Sequence, residues 1–238
     1  MGIGDRFQEE TKHHPGRLSG RSLDWARRPE VYKTYPLSER FDLPLPEERG
    51  MAFTTCLRER KSFRNFSSSP LTLEQLSFLL WASTGLRESR MGHDFRTAPS
   101  AGALYSVETY ICVNSVEELE KGIYHYDIKH HSLELLKEGN CSSKVAFAAL
   151  DQAMCSSAAV VFIWTSVFER TKWKYGERGY RYIYIDAGHI AENLALACAA
   201  EGLGCCHVGA IFDEVANELL EVDGSTEGTI YMTAVGRR

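Results

Sequence analysis

"AAVVFIWTS", residues 158–166, is apolar from Ala158 to Trp164. A continuous apolar run of this kind suits a strand buried on both faces rather than one with a wet side. Helical and extended patterns alternate around it. "SSKVAFAALDQA" (142–153) reads as a helix before it. "VETYICV" (107–113), "GIYHYD" (122–127) and "SLELLK" (132–137) are β-branched and aromatic runs, the last two forming a hairpin turned by "IKHH". On the far side, Ile183, Ala187, Ile190, Leu194, Ala197 and Glu201 form one stripe at helical spacing between Gly179 and Gly202. "GCCHVGAIF" then reads as a strand, "DEVANELL" as a short helix with Asp213 as N-cap, and "TIYMTAVG" (229–236) as the last strand. Upstream, "LTLEQLSFLLWASTG" (71–85) is a helix that Thr72 and Gln75 open as a capping box and Gly85 closes. Strands and helices alternate without regular βαβ spacing, so the fold class is α+β. Residues 1–48 lack periodicity and read as an N-terminal arm, ending in "LPLPEERG". Residues 49–238 form the folded domain.

The chain has 238 residues, 44% of them hydrophobic, enough for a sizeable core. Its net charge of −5 gives no chain-wide basic field for nucleic acid or an anionic membrane. The first residues hold no apolar core of signal-peptide length and no run is long enough to span a bilayer, so the cytoplasm is expected. Seven cysteines, an odd count without C-x-x-C spacing, read as reduced, buried side chains. In an extended chain Cys205 and Cys206 point to opposite faces, which spoils joint metal ligation. Asp186, His189 and Glu192 lie at helical spacing and read as polar residues that pair across packed elements rather than as metal ligands. No metal is expected. His13, His14, His130 and His131 sit in polar stretches and are expected to face solvent.

Two usual nucleotide signatures are missing. The nearest approach to a dinucleotide glycine loop, Gly202-Leu203-Gly204, lies between a helix and a strand, the reverse of what that loop requires, and there is no Walker A sequence. A different anion site is available in "RERKSFRNF" (58–66). In extended backbone Arg60, Ser62 and Arg64 share a side and aim two guanidinium forks and a hydroxyl at one point, which suits a phosphate dianion. Four polar residues after a helix also make an ordinary solvated surface. Pro99, Ser100, Ala101, Gly102 and Ala103 form a small-residue turn just before a strand, where backbone can approach a flat ligand closely.

The R-x-S-x-R pattern at 60–64, "TAPSAGALYSVETY" (97–110), "GHIAENLALACAAEGLGCCHVGAI" (188–211) and the terminal "VGRR" together resemble the nitroreductase superfamily of flavin enzymes. The likeness is narrower still to the SagB-type dehydrogenases. It runs through nearly the whole chain, including "TKHHPGRLSGRSLDWARRPEVYKTYP" (11–36) in the arm. The resemblance implies a mixed, mainly antiparallel sheet surrounded by helices, and an intertwined homodimer with FMN at the interface. It implies that Arg60, Lys61 and Ser62 meet the phosphate and ribityl end, with Arg64 nearer the pyrimidine edge. Pro99, Ser100, Ala101 and Gly102 would line the isoalloxazine from the second subunit. Val208, Gly209 and Ala210 match the segment whose backbone faces flavin N5, and Arg237 a terminal basic residue near the phosphate. Gly209 departs from the family's frequent acidic residue, which leaves the substrate face more open.

Lys174-Tyr175, in the highly charged "TKWKYGERGYRY" (171–182), resembles the Lys-Tyr pair of azoline dehydrogenases, where a base removes a proton as hydride leaves to N5. A neighbouring phenol and ammonium are chemically suited to that task. The implied activity is an FMN-dependent oxidoreductase working by two-step exchange, with NAD(P)H as electron donor. The alternatives are an azoline peptide dehydrogenase reoxidised by oxygen, and a non-catalytic flavin-binding subunit. Its partners would be a small-molecule or peptide substrate and a second copy, with neither nucleic acid nor membrane.

Overall fold

The computed structural model describes residues 2–14, 23–47, 51–90 and 92–238. The stretch 15–22 of the arm motif and the expected boundary near residue 48 lie outside the described residues. In chain order the elements are α1 (Ile3–Glu10), β1 (Arg40–Asp42), α2 (Phe53–Glu59), α3 (Leu73–Thr84), β2 (Leu86–Arg90), β3 (His93–Arg96), β4 (Val107–Val113), β5 (Gly122–Asp127) and β6 (Ser132–Glu138). There follow α4 (Ser142–Ala148), α5 (Ala153–Ser157), β7 (Val160–Val167), α6 (Phe168–Tyr175), α7 (Gly179–Ala200), β8 (Leu203–Val208), α8 (Asp213–Leu220) and β9 (Glu227–Arg237).

Seven strands pair in the order β1-β6-β5-β4-β7-β9-β8, all antiparallel, and β2-β3 form a separate hairpin. The apolar run that opened the sequence is β7, one strand from the middle of the sheet, and it is buried from Val160 to Ser166. Both faces are covered. One carries Leu76, Leu79 and Leu80 of α3 and Ala187, Ile190 and Leu194 of α7 against Ile111, Phe162 and Trp164. The other carries α4, α5 and α8 against Tyr110, Cys112, Val161, Ile163 and Met232. Fully burying one such apolar side chain contributes ~1.5–3 kcal/mol, which makes the sheet the rigid frame of the molecule.

The Thr72–Gln75 capping box opens α3 as its sequence predicts. Gly85 ends it for a reason other than a left-handed turn: φ is −64°, but a Cβ there would lie 2.5 Å from the Trp81 ring. The stripe on α7 is buried from Ile183 to Ala197. Cys205 and Cys206 go to opposite cores, all seven cysteines are free, and no cluster of metal-ligating residues exists among the described residues.

Three local readings need correction. The helix expected over 142–153 is broken after Ala148, where Leu150 and Asp151 both take positive φ (+56°), and resumes as α5. Asp213 is the first residue of α8 and caps nothing; the N-cap is Phe212, whose side chain cannot accept a hydrogen bond. His131 is half-buried between Ser77 (2.8 Å) and Tyr126 (2.7 Å), and burial lowers its pKa, whereas His130 is exposed as expected.

The arm is part of this frame. Arg40–Asp42 adds an edge strand beside β6. Tyr35 donates its backbone N–H to Glu134, and Lys33 reaches Glu227 (2.6 Å) and the Tyr110 hydroxyl (2.7 Å) in the interior. α1 is held by Arg178, which bonds the carbonyl of Thr11, and by Arg181 through Gln8. Among the described residues no helix is long and apolar enough to cross a membrane.

Candidate functional site

The "RERKSFRNF" cluster lies on the free edge of β8. α2 ends at Glu59, and its C-cap Arg60 takes extended backbone. Ser62 bridges to Cys205 in parallel, and Phe63 donates its N–H to the carbonyl of Cys205 (2.8 Å). Two aromatic rings seat the segment. Phe63 and Phe66 fill the space over Gly204 and Gly236, paired residues of β8 and β9 where a Cβ would fall 2.5 Å and 2.9 Å from the respective rings. Lys61, Ser62 and Arg64 are exposed. Arg60 makes a loose pair with Glu192 of α7 (3.6 Å), while Lys61 and Arg64 have no carboxylate partner among the described residues.

This cationic edge adjoins the end of β8. Burial lowers the pKa of His207 and the charge of Arg60 lowers it further. Its Nδ1 meets the hydroxyl of Thr233 (2.7 Å) and its ring stacks on Tyr231. Burial raises the Cys206 thiol, with Arg64 and Ser62 pulling against it. Along a strand, every second residue presents its backbone to the same edge. Since the Cys205 carbonyl faces the cluster, His207 faces it too, and Gly209 follows one repeat further, just past the strand. Gly209 and Ala210 are exposed, and the nearest atom to a Cβ at Gly209 is Tyr231 Cε2 at 3.7 Å. A flat ligand could therefore lie against this backbone with its anionic end toward Arg60–Arg64.

Loop 99–105 is tied to α7 through Asp186. The carboxylate accepts from the Ser100 hydroxyl (2.7 Å) and from the Ala101 N–H (3.0 Å), and Ser100 Oγ accepts from the N–H of Tyr105 (3.0 Å). Burial raises the Asp186 carboxyl, and these two donors draw it back down. The polar pairing expected on α7 is thus realised at Asp186 and Glu192, each to a different loop. Gly102 takes φ +65°, Ala103 +52° and Tyr105 +47°, a tight reversal that exposes backbone. A Cβ on Gly102 would fall 2.7 Å from Tyr175 Oη and 3.1 Å from Lys174 Nζ, so the candidate Lys-Tyr pair lies directly against the candidate flavin loop. Beyond Ala103 a cleft of about 400 Å³ opens between Tyr32, His93, Asp94 and Tyr105.

Within the chain the cationic edge and loop 99–102 form separate groups: one meets α7 at Glu192, the other at Asp186. Six residues of helix set these apart, about 9 Å of rise. Arg237 is committed elsewhere, donating to the carbonyl of Pro70 (2.7 Å) and to Gln75 Oε1 (3.0 Å), so it braces the entry to α3. Sequence reasoning did not reach Arg170 or Glu108. Both are buried, and they pair across 62 residues, a separation that leaves no local signal.

Comparisons with known proteins agree with this architecture. Residues 57–237 match the family described as "Nitroreductase family". The protein "Putative nitroreductase MJ1384" of Methanocaldococcus jannaschii is 35% identical over 85% of this chain and 99% of its own length. The "Trifolitoxin-processing protein TfxB" of Rhizobium leguminosarum bv. trifolii is 30% identical over 61% of this chain, which spans only 40% of that protein. The crystal structure of a "putative nitroreductase" from Anabaena variabilis superposes with a TM-score of 0.83 at 30% identity, covering 99% of this chain and 46% of that one.

Proposed function

The chain belongs to the nitroreductase family, and on that premise we propose that it is an FMN-dependent oxidoreductase that works as a homodimer. The observation that carries the proposal is the contact of Lys174 and Tyr175 with Gly102, which joins a proton-handling pair to a turn suited to a flat ring. The donor set fits the cofactor. Lys61 and Arg64 are exposed cations without carboxylate partners among the described residues, and Gly209 leaves its backbone uncovered.

Arg60, Lys61 and Ser62 would hold the phosphate and ribityl end, Arg64 the pyrimidine edge, and Val208, Gly209 and Ala210 the central edge. Pro99, Ser100, Ala101 and Gly102 of the second copy would complete the pocket, with Arg237 bracing it through Pro70 and Gln75. Bound FMN supplies a two-electron acceptor and donor for hydride chemistry. Fixed positive charge from Arg64 favours the negative charge that accompanies reduction. Lys174 and Tyr175 take or return the proton at the substrate atom, and the turn at Gly102 keeps them within reach. NAD(P)H is the proposed electron donor.

A second reading, oxidation of an azoline ring in a peptide with oxygen as final acceptor, is favoured by the same Lys-Tyr placement and by the likeness to a trifolitoxin-processing protein. Anaerobic mixing of the FMN-loaded protein with NADPH, NADH or a synthetic thiazoline peptide separates the cases. Bleaching by a nicotinamide supports the first, bleaching by the thiazoline supports the second, and a flavin that stays oxidised with all three leaves a binding subunit. Wild-type turnover in Lys174→Met at full flavin occupancy would remove the pair from the mechanism.

A further inference from the structure

Three parts of the chain converge on Arg170. Its side chain is 4% exposed and faces inward from α6. Nη1 donates to the Glu108 carboxylate of β4 and to the carbonyl of Tyr105 (3.2 Å), and Nε donates to the carbonyl of Glu30 in the arm (2.6 Å). Tyr105 closes loop 99–105 through its bond to Ser100. One guanidinium therefore registers α6, the arm and the flavin loop against one another. Lys174 lies four residues on, one turn along the same face of α6. The separation of Lys174 and Tyr175 from Gly102 follows from where Arg170 holds the helix.

The arm closes the clamp from outside. The carbonyl of Asp24 accepts from Trp173 Nε1 (2.9 Å), and the Trp25 ring stands edge-on to Trp173 at 5.3 Å. Glu108 is held from behind by His125 (3.2 Å), whose other nitrogen meets Glu134 (2.9 Å). Glu134 in turn accepts from Arg40 (3.2 Å) and from the Tyr35 N–H (3.0 Å), both in the arm. The groups facing Glu108 are thus Arg170 of α6, His125 of β5 and, by charge alone, Arg96 of β3. Buried ion pairs of this kind are seldom better for stability than apolar side chains of the same volume. Their planar, divergent hydrogen bonds do select one geometry, and Arg offers that fork where Lys does not.

Resting on the reading of Lys174–Tyr175 above, we infer that Arg170 is a positioning residue for that pair and that arm residues 24–30 form the outer half of its clamp. The test compares Trp25→Ala, an exposed site, with Arg170→Lys and with the double variant Arg170→Met/Glu108→Gln, which removes both buried charges together. In FMN-loaded protein, acetylation of Lys174 by an N-hydroxysuccinimide ester is read by mass spectrometry against exposed Lys144, alongside turnover. The expected result is a change in relative Lys174 labelling of roughly 2- to 30-fold, the range typical of such indirect coupling. Turnover should fall up to ~100-fold, as for a displacement of about 1 Å, with KM nearly unchanged and no rescue by Lys at 170. Wild-type labelling and turnover in folded Trp25→Ala and in the double variant would overturn the inference. Wild-type turnover in Lys174→Met would instead refute the reading on which it rests, and labelling would still report on the clamp.

Discussion

Replacing Gly102 by alanine perturbs the proposed chemistry at a single atom. The new Cβ would stand 2.7 Å from Tyr175 Oη and 3.1 Å from Lys174 Nζ. Both are tips of flexible side chains, so the contact is relieved by moving the pair and the backbone stays in place. The remaining cost is a left-handed φ of +65° for a residue with a Cβ, about 1–2 kcal/mol. In a chain of this size that lowers Tm by ~2–8 °C, small enough for a folded variant. Turnover should fall much further, on the order of 100-fold for a displacement near 1 Å. Gly102→Asn separates the two effects, because asparagine tolerates this φ better but brings the same Cβ. Differential scanning fluorimetry and steady-state turnover of both variants form the assay. Near wild-type turnover in a folded Gly102→Ala protein would refute the idea that Lys174 and Tyr175 act where they lie.

Further expectations concern the frame around the site. Gly204→Ala should push the Phe63 ring off β8, costing ~1–3 kcal/mol as overpacking does and weakening FMN binding; calorimetry with and without FMN reads both. Thr72→Ala should cost about 1 kcal/mol through loss of the α3 cap, seen as a lower urea midpoint at unchanged slope. Burial pushes the Glu108 carboxyl up, but its hydrogen bond to His125 and the charges of Arg170, His125 and Arg96 outweigh that and hold its pKa at about 2 instead of the usual 4.5. Its stabilisation is complete above pH 4.5 and is lost as pH falls toward 2. In Arg170→Met/Glu108→Gln the dependence of stability on pH over that window should be shallower by about one proton, measured by denaturant titration at each pH.

The parts of the fold that could be read in the sequence are those with local repeats. β7 has a continuous apolar run, α7 a helical stripe, and α3 a capping box whose residues lie three apart. β1 is only three residues long, too short for alternation to register. α6 buries Arg170 and Thr171 instead of an apolar stripe, so its pattern resembles a charged surface. In "VETY" Glu108 looks like a solvent-facing position, yet it is buried because its partners His125 and Arg170 come from other elements. The cationic run at 60–64 was visible as a cluster. That its spacer Phe63 packs over Gly204 while Lys61 and Arg64 stay exposed depends on strand pairing some 140 residues away.

The central claim is that this chain holds FMN on the edge formed by Arg60–Arg64 and Val208–Ala210. Titration of the purified protein with FMN, followed by flavin fluorescence, tests it directly. The account predicts saturable binding of one FMN per chain, much weakened in Arg64→Met and in Lys61→Met. Absence of saturable binding, or binding indifferent to both substitutions, would contradict it.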